Sequence, residues 1–284
     1  MQRMTNNEFT ALVSLLDDPD YAIFQQIEHK LITCGPDVIP VLEQTWEESF
    51  DPLAQSRIEN IIHKIQFDEV KNELQIWQLN NADDLLDGLM IINRYQYPNM
   101  NEDQVYYQLA ELRSAAWTGM MYDIMSPVEK VRLLNNIIFR EFGLSGNTSN
   151  YHDPQNSFIN QVLETKKGNP ISLACIYALV AQKLDLPIYG VNLPKHFVLA
   201  YMDESEPSKT LFYINVFNRG QIMQEEDIQA FLRQLNLPIS PEYTHPCDNP
   251  AIIKRILRNL ISAYEHVDNM TKRNDIALLL ELIQ

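Results

Sequence analysis

Positive charge is scarce in this chain. Its 22 Lys and Arg stand against 38 Asp and Glu, a formal charge of −16. Such a surface repels phosphate backbones and anionic lipid headgroups, so direct nucleic-acid or membrane binding would need a local basic patch. The densest cationic spots, Lys166-Lys167 and Lys254-Arg255 with Arg258, fall short of one. Cysteine is scarce as well. Cys34, Cys175 and Cys247 are odd in number and far apart, which excludes a disulfide framework or a CxxC metal knuckle and fits a reducing cytoplasm. No apolar run reaches membrane-spanning length, and none follows Arg3 as a secretory signal would require. The six histidines (29, 63, 152, 196, 245, 266) lack ligand spacing, so neither a metal nor another cofactor is expected. With 8 glycines against 15 prolines, tight hairpins should be few and helix boundaries many.

What is present is helical periodicity. Phe9, Leu12, Val13, Leu15 and Leu16 recur at helical spacing and stop at Asp17-Asp18-Pro19. Three further amphipathic stretches follow, from Ile23 to Ile32, Val38 to Trp46 and Leu53 to Ile65. The paired helices around "Gly-Pro-Asp-Val-Ile-Pro-Val-Leu" form either about two HEAT-type repeats or an irregular helical cap. The pattern stays helical from Asp83 to Phe142. Residues 143–170 then turn loop-like, with three glycines, clustered asparagines and Asp153-Pro154. Asn169 suits an N-cap and Pro170 the first position of a helix that is apolar over most of its circumference, hence buried. Ile188–Leu193, His196–Tyr201 and Leu211–Val216 are short β-rich runs. Helices resume from Gln224, with Ile252, Ile256, Leu257, Leu260 and Ile261 on one face. The expected fold is α+β and mainly helical. Its expected segments are 1–82 (helical, HEAT-like), 83–235 (the core with a small antiparallel sheet) and 236–284 (a helical tail).

Five runs occur in order: "Phe-Gly-Leu-Ser-Gly-Asn" (142–147), "Tyr-His-Asp-Pro-Gln-Asn-Ser" (151–157), "Gly-Asn-Pro-Ile-Ser-Leu-Ala" (168–174), "Leu-Pro-Lys-His-Phe-Val-Leu" (193–199) and "Ile-Asn-Val-Phe-Asn-Arg-Gly" (214–220). Together they resemble the SirB-type transglutaminase-like family, as does "Ile-Ile-Asn-Arg-Tyr-Gln-Tyr-Pro-Asn-Met" (91–100) upstream. The resemblance implies a papain-like core over roughly residues 84–235 and a TPR-like helical tail. It also implies a Cys-His-Asp triad, with the thiolate at a helix start and the other two groups on strands. Laid on this chain, Gly168 and Ala174 match the helix motif, but the cysteine position falls on Pro170, the imidazole on His196 and the carboxylate on Asn215.

Proline carries no nucleophile. Ser172 and Cys175 are the substitutes within reach on the same helix, and each has an ordinary structural reading: a first-turn hydroxyl bonding backbone, and a small buried apolar residue. His196 is either the retained imidazole of a triad with Asn215 or a structural histidine pinning two strands. Lys195 replaces the family's glycine before that histidine. Tyr151, Asp153, Asn156 and Ser157 either bond their own backbone as turn residues or line a cleft with Pro170 and Lys195. The resulting expectation is a non-catalytic, cytoplasmic interaction or regulatory module with a protein partner, and with room for a small-molecule or peptide ligand in the cleft. The alternative is a hydrolase or acyltransferase in which Ser172 or Cys175 hydrogen-bonds His196, oriented by Asn215.

Overall fold

The structure, a computed structural model, describes residues 6–121 and 124–283. It divides into two compact units, Met1–Glu73 and Leu74–Gln284. The first holds α1 (Asn6–Val13), α2 (Tyr21–Cys34), α3 (Ile39–Glu48) and most of α4 (Pro52–Asn80). Asp20 opens α2 by accepting from the Ala22 N–H, and Gly35 closes it with a φ of 68° that favours glycine. Phe9, Leu16, Phe24, Leu31, Leu42, Ile58 and Ile61 meet in one apolar core. Each large side chain buried there contributes roughly 1.5–3 kcal/mol. Arg57 ties the turn after α1 to α4, donating to the Leu16 and Asp18 carbonyls at 2.8 Å each.

The second unit contains α5 (Leu85–Gln96), α6 (Glu102–Met120), α7 (Pro127–Asn135), α8 (Ile159–Thr165), α9 (Pro170–Gln182), α10 (Glu225–Gln234), α11 (Pro241–Thr244), α12 (Asn249–His266) and α13 (Met270–Leu282). Its strands are β1 (Ser145–Gly146) and β2 (Lys167–Gly168), a short parallel pair, then β3 (Ile188–Val191), β4 (Val198–Met202), β5 (Thr210–Asn215) and β6 (Gln221–Met223). The last four form an antiparallel sheet in the order β3-β4-β5-β6. The mainly helical α+β class is therefore present. Neither β1–β2 nor β6 was legible in advance, because segments of two or three residues carry too little alternation.

The expected segments 1–82, 83–235 and 236–284 compare with a division at 73/74 inside α4, which runs unbroken for 29 residues. α12 packs on α5, on α9 and on the Pro154–Ser157 turn, so the C-terminal helices share the second unit's core.

α9 is the axis of this unit. Every side chain from Pro170 to Ala181 is buried, as its nearly all-apolar sequence requires. The sheet separates two environments. Val191, Val198, Ala200, Met202 and Tyr213 pack with Ile228 and Leu232 of α10. Strand alternation sends Leu199, Tyr201, Phe212 and Ile214 to the opposite face, where β3 and β4 meet α9.

Candidate functional site

The start of α9 is built from interlocking amides and hydroxyls. Asn169 caps the helix, its Oδ1 accepting from the Ser172 N–H at 3.0 Å, while Ser172 Oγ accepts from the Asn169 N–H at 3.1 Å. The same hydroxyl lies 2.7 Å from the Asn156 carbonyl, to which it donates. Asn169 Nδ2 donates to Ser157 Oγ at 2.8 Å. Asn156 in turn donates to the Asn150 and Tyr151 carbonyls and accepts from Asn147 Nδ2. A chain of neutral hydrogen bonds thus fastens the 147–157 loop to the first turn of α9. Gly168 is required beside it, because a Cβ there would stand 2.7 Å from Ser172 Oγ.

Pro170 is buried at the first helical position. Ser172, 3% exposed, has its hydroxyl committed to backbone partners. Cys175 is buried, and burial pushes its thiol far above the ordinary cysteine value, so it stays protonated near neutral pH.

His196 lies elsewhere. Residues 194–197 form a turn, with Lys195 exposed in the left-handed region at φ 62°, and the strand begins at Val198 rather than at His196. The His196 ring packs on Phe231 of α10, with centroids 5.1 Å apart, on the side of the sheet opposite α9. Burial, then the neighbouring Arg255 charge, hold its pKa below the ordinary histidine value. Asn215 ends β5, and its Oδ1 accepts from the Asn218 N–H at 3.2 Å, capping the short turn Val216–Asn218. Among the described residues no hydrogen bond joins His196 to Ser172, Cys175 or Asn215. The geometry required for a substitute triad is not assembled.

Of the expected cleft residues, Tyr151 and Asp153 do face a hollow of about 100 Å³, together with His152, Ser157 and the Asn169 cap. Its far wall is α12, through Asn259 and Ser262. Asn156, Pro170 and Lys195 are not part of that lining. Asp153 is engaged locally, accepting from the Gln155 N–H and from Asn150 Nδ2. His152 meets His266 of α12 at 4.5 Å between ring centroids, and Tyr151 meets Phe217 edge-on at 6.0 Å. The α12 contribution went unread in the sequence. Its signal was the spacing Arg255, Asn259, Ser262 and His266, which share one side of an amphipathic helix. Among the described residues no group of three His, Cys, Asp or Glu side chains could hold a metal ion. None of the described helices is long and apolar enough to cross a membrane.

This arrangement, a buried helix whose N-terminus is wrapped by a loop and followed by antiparallel strands, is that of a transglutaminase-like protein, and residues 103–258 match the model of the transglutaminase-like superfamily. The chain belongs to that superfamily and, within it, to the SirB-type family. It is 31% identical over 207 residues to a UPF0162 protein of Xylella fastidiosa, covering 69% of this chain and 72% of that one. A UPF0162 protein of Vibrio cholerae is 31% identical over 188 residues, covering 64% and 67% of the two chains. Protein SirB1 of Salmonella typhimurium is 25% identical over 190 residues, covering 66% and 68%. No solved structure matches the chain.

Proposed function

We propose that this protein is a non-catalytic member of its family that works as a protein-interaction or regulatory module. The observation that carries this reading is the start of α9. Proline occupies the nucleophile's place, the adjacent hydroxyl is locked to backbone groups, and the adjacent thiol is buried and held protonated. The imidazole that would activate either one packs on Phe231 across the sheet. A nucleophile needs its base within hydrogen-bond reach, about 3 Å.

The N-terminal unit supports the interaction half of the reading. Residues 1–73 carry 14 Asp and Glu against 5 Lys and Arg, a net of −9, leaving −7 for the other 211 residues. Within that unit Trp46 and Ile62 line an open groove of about 520 Å³ whose rim includes Glu43, Glu47 and Glu59. An aromatic anchor ringed by carboxylates suits a cationic, partly apolar partner segment.

Thiol- and serine-directed covalent probes on the purified native chain, alongside an acyl-transfer assay, test the catalytic half. The expected result is no turnover and no label at Ser172 or Cys175. Labelling at either residue that disappears in His196→Ala would establish the hydrolase or acyltransferase reading instead. The interaction half is tested by capture from lysate with the wild-type chain and with Trp46→Ala. A specific partner lost in the variant is expected; no specific partner for the wild type would sink it.

A further inference from the structure

An unneutralised arginine stands beside the cleft. Arg255 of α12 is half-buried, and its Nη1 donates to Asn192 Oδ1 at 3.1 Å, just beyond the end of β3. Asparagine is a neutral partner. Among the described residues neither Arg255 nor the exposed Arg258, one turn further along α12, forms an ion pair. In a chain with sixteen more acidic than basic side chains, carboxylates abound, yet none is placed here. A guanidinium that has lost part of its hydration without gaining an opposite charge is unfavourable unless something else supplies that charge. The surrounding positive field is consistent: burial first, then Arg258, draw the Arg255 pKa down, and Arg255 does the same to His196.

The placement joins this charge to the hollow. Arg255, Asn259 and Ser262 follow one another at helical spacing on one face of α12, and the latter two line the hollow opposite Tyr151 and Ser157. Arg255 itself is not among the side chains lining the hollow; it stands one turn before Asn259 on the same face of α12. The one carboxylate in the lining, Asp153, is satisfied by the Gln155 N–H and Asn150 and does not neutralise the arginine. Arginine presents a planar fork of donors that matches the paired oxygens of a carboxylate or phosphate, and it binds them better than a point charge does.

We propose that the cleft between α12 and the 147–157 loop is an oxyanion-binding site: Arg255, assisted by Arg258, takes the carboxylate or phosphate group of a small ligand, and Asn259 and Ser262 contact the portion that enters the hollow. The site does not depend on the absence of catalysis, since neither arginine belongs to the triad positions.

The test is a titration of the full chain with inorganic phosphate and, separately, with succinate, followed by calorimetry and by thermal unfolding at matched ionic strength. Binding to a folded protein raises its melting temperature in proportion to the logarithm of ligand excess. Saturable binding of at least one probe is expected, weakened about tenfold in Arg255→Gln, as loss of a charged hydrogen bond implies. Arg258→Gln should weaken it about threefold, a surface charge effect. Lys209→Gln, a remote exposed cation, should leave it unchanged. Preference for phosphate marks a phosphorylated ligand, preference for succinate a carboxylate-bearing one, and equal binding supports the shared chemistry. Absence of saturation with both probes overturns the proposal, as does stabilisation that persists fully in Arg255→Gln. Should Arg255→Gln fail to fold, Arg258→Gln decides, because an exposed side chain does not carry the fold.

Discussion

The two walls of the cleft are built on opposite physical plans. Behind the loop-side wall, at the start of α9 where related enzymes would keep reactive groups, Asn156, Asn169 and Ser172 bond neutral partners at 2.7–3.1 Å. On the α12 side a charge is left with one neutral acceptor. The first plan confers stability, since each hydroxyl and amide is already bonded to a neighbour. The second gives up stability at one position and keeps a group available. Asn156, Asn169 and Ser172 of the quoted motifs are thus tied to one another and to neighbouring backbone, while Arg255 lies on a helix outside those motifs.

The comparison breaks most visibly at Asn156. Its replacement by Ala removes three hydrogen bonds and strands two loop carbonyls beside a buried site, at a cost of about 3 kcal/mol. Denaturant unfolding that shows a loss below about 1 kcal/mol would mean the loop is held by something else. Ser172→Ala is next. It removes the hydroxyl shared by the Asn156 carbonyl and the Asn169 N–H, which still bond each other at 3.2 Å, and a loss of about 1 kcal/mol is expected. Arg255→Gln should behave in the opposite way. Removing an unpaired, half-buried charge leaves stability unchanged within about 0.5 kcal/mol, or raises it, in ligand-free buffer. A loss comparable to that of Ser172→Ala would erase the contrast between the two walls.

These differences also explain what could be read without coordinates. The α9 start was legible because capping chemistry is local: Asn169 before Pro170 specifies a helix N-terminus from two adjacent residues. The three longer antiparallel strands and the burial of α9 followed from composition and turns in the same way. The side to which His196 faces did not. Alternation puts His196 on the face of Val198 and Ala200, but which face meets α9 and which meets α10 is decided by packing between elements distant in sequence. Asn215 was read only as the triad's third position, whereas in the structure it caps the turn that follows β5. Arg255 was visible as charge and invisible as a site. Its half-burial arises from α12 lying against β3, where Ile252 reaches Gly190, a contact between residues more than sixty positions apart.

The smallest effect is a titration, and it sharpens the comparison at the point where the two plans meet. The His196 ring, partly covered by Phe231, has its pKa below the ordinary histidine value, about 6.5, through this partial burial and the Arg255 charge. The unfolded chain therefore takes up this proton before the folded one. The associated stability is fully present above about pH 6.5 and is lost as the pH falls through the folded value. Replacing Arg255 by Gln removes the second cause, so the His196 pKa should move up toward the ordinary value while burial keeps it from arriving. An NMR titration of the His196 Cε1 proton in both proteins measures this. A wild-type value at or above 6.5, or no movement in Arg255→Gln, would place the arginine's charge somewhere other than beside the imidazole. A bound oxyanion should mimic the substitution, since neutralising the guanidinium in place relieves the same repulsion, and the shift should then vanish in the variant.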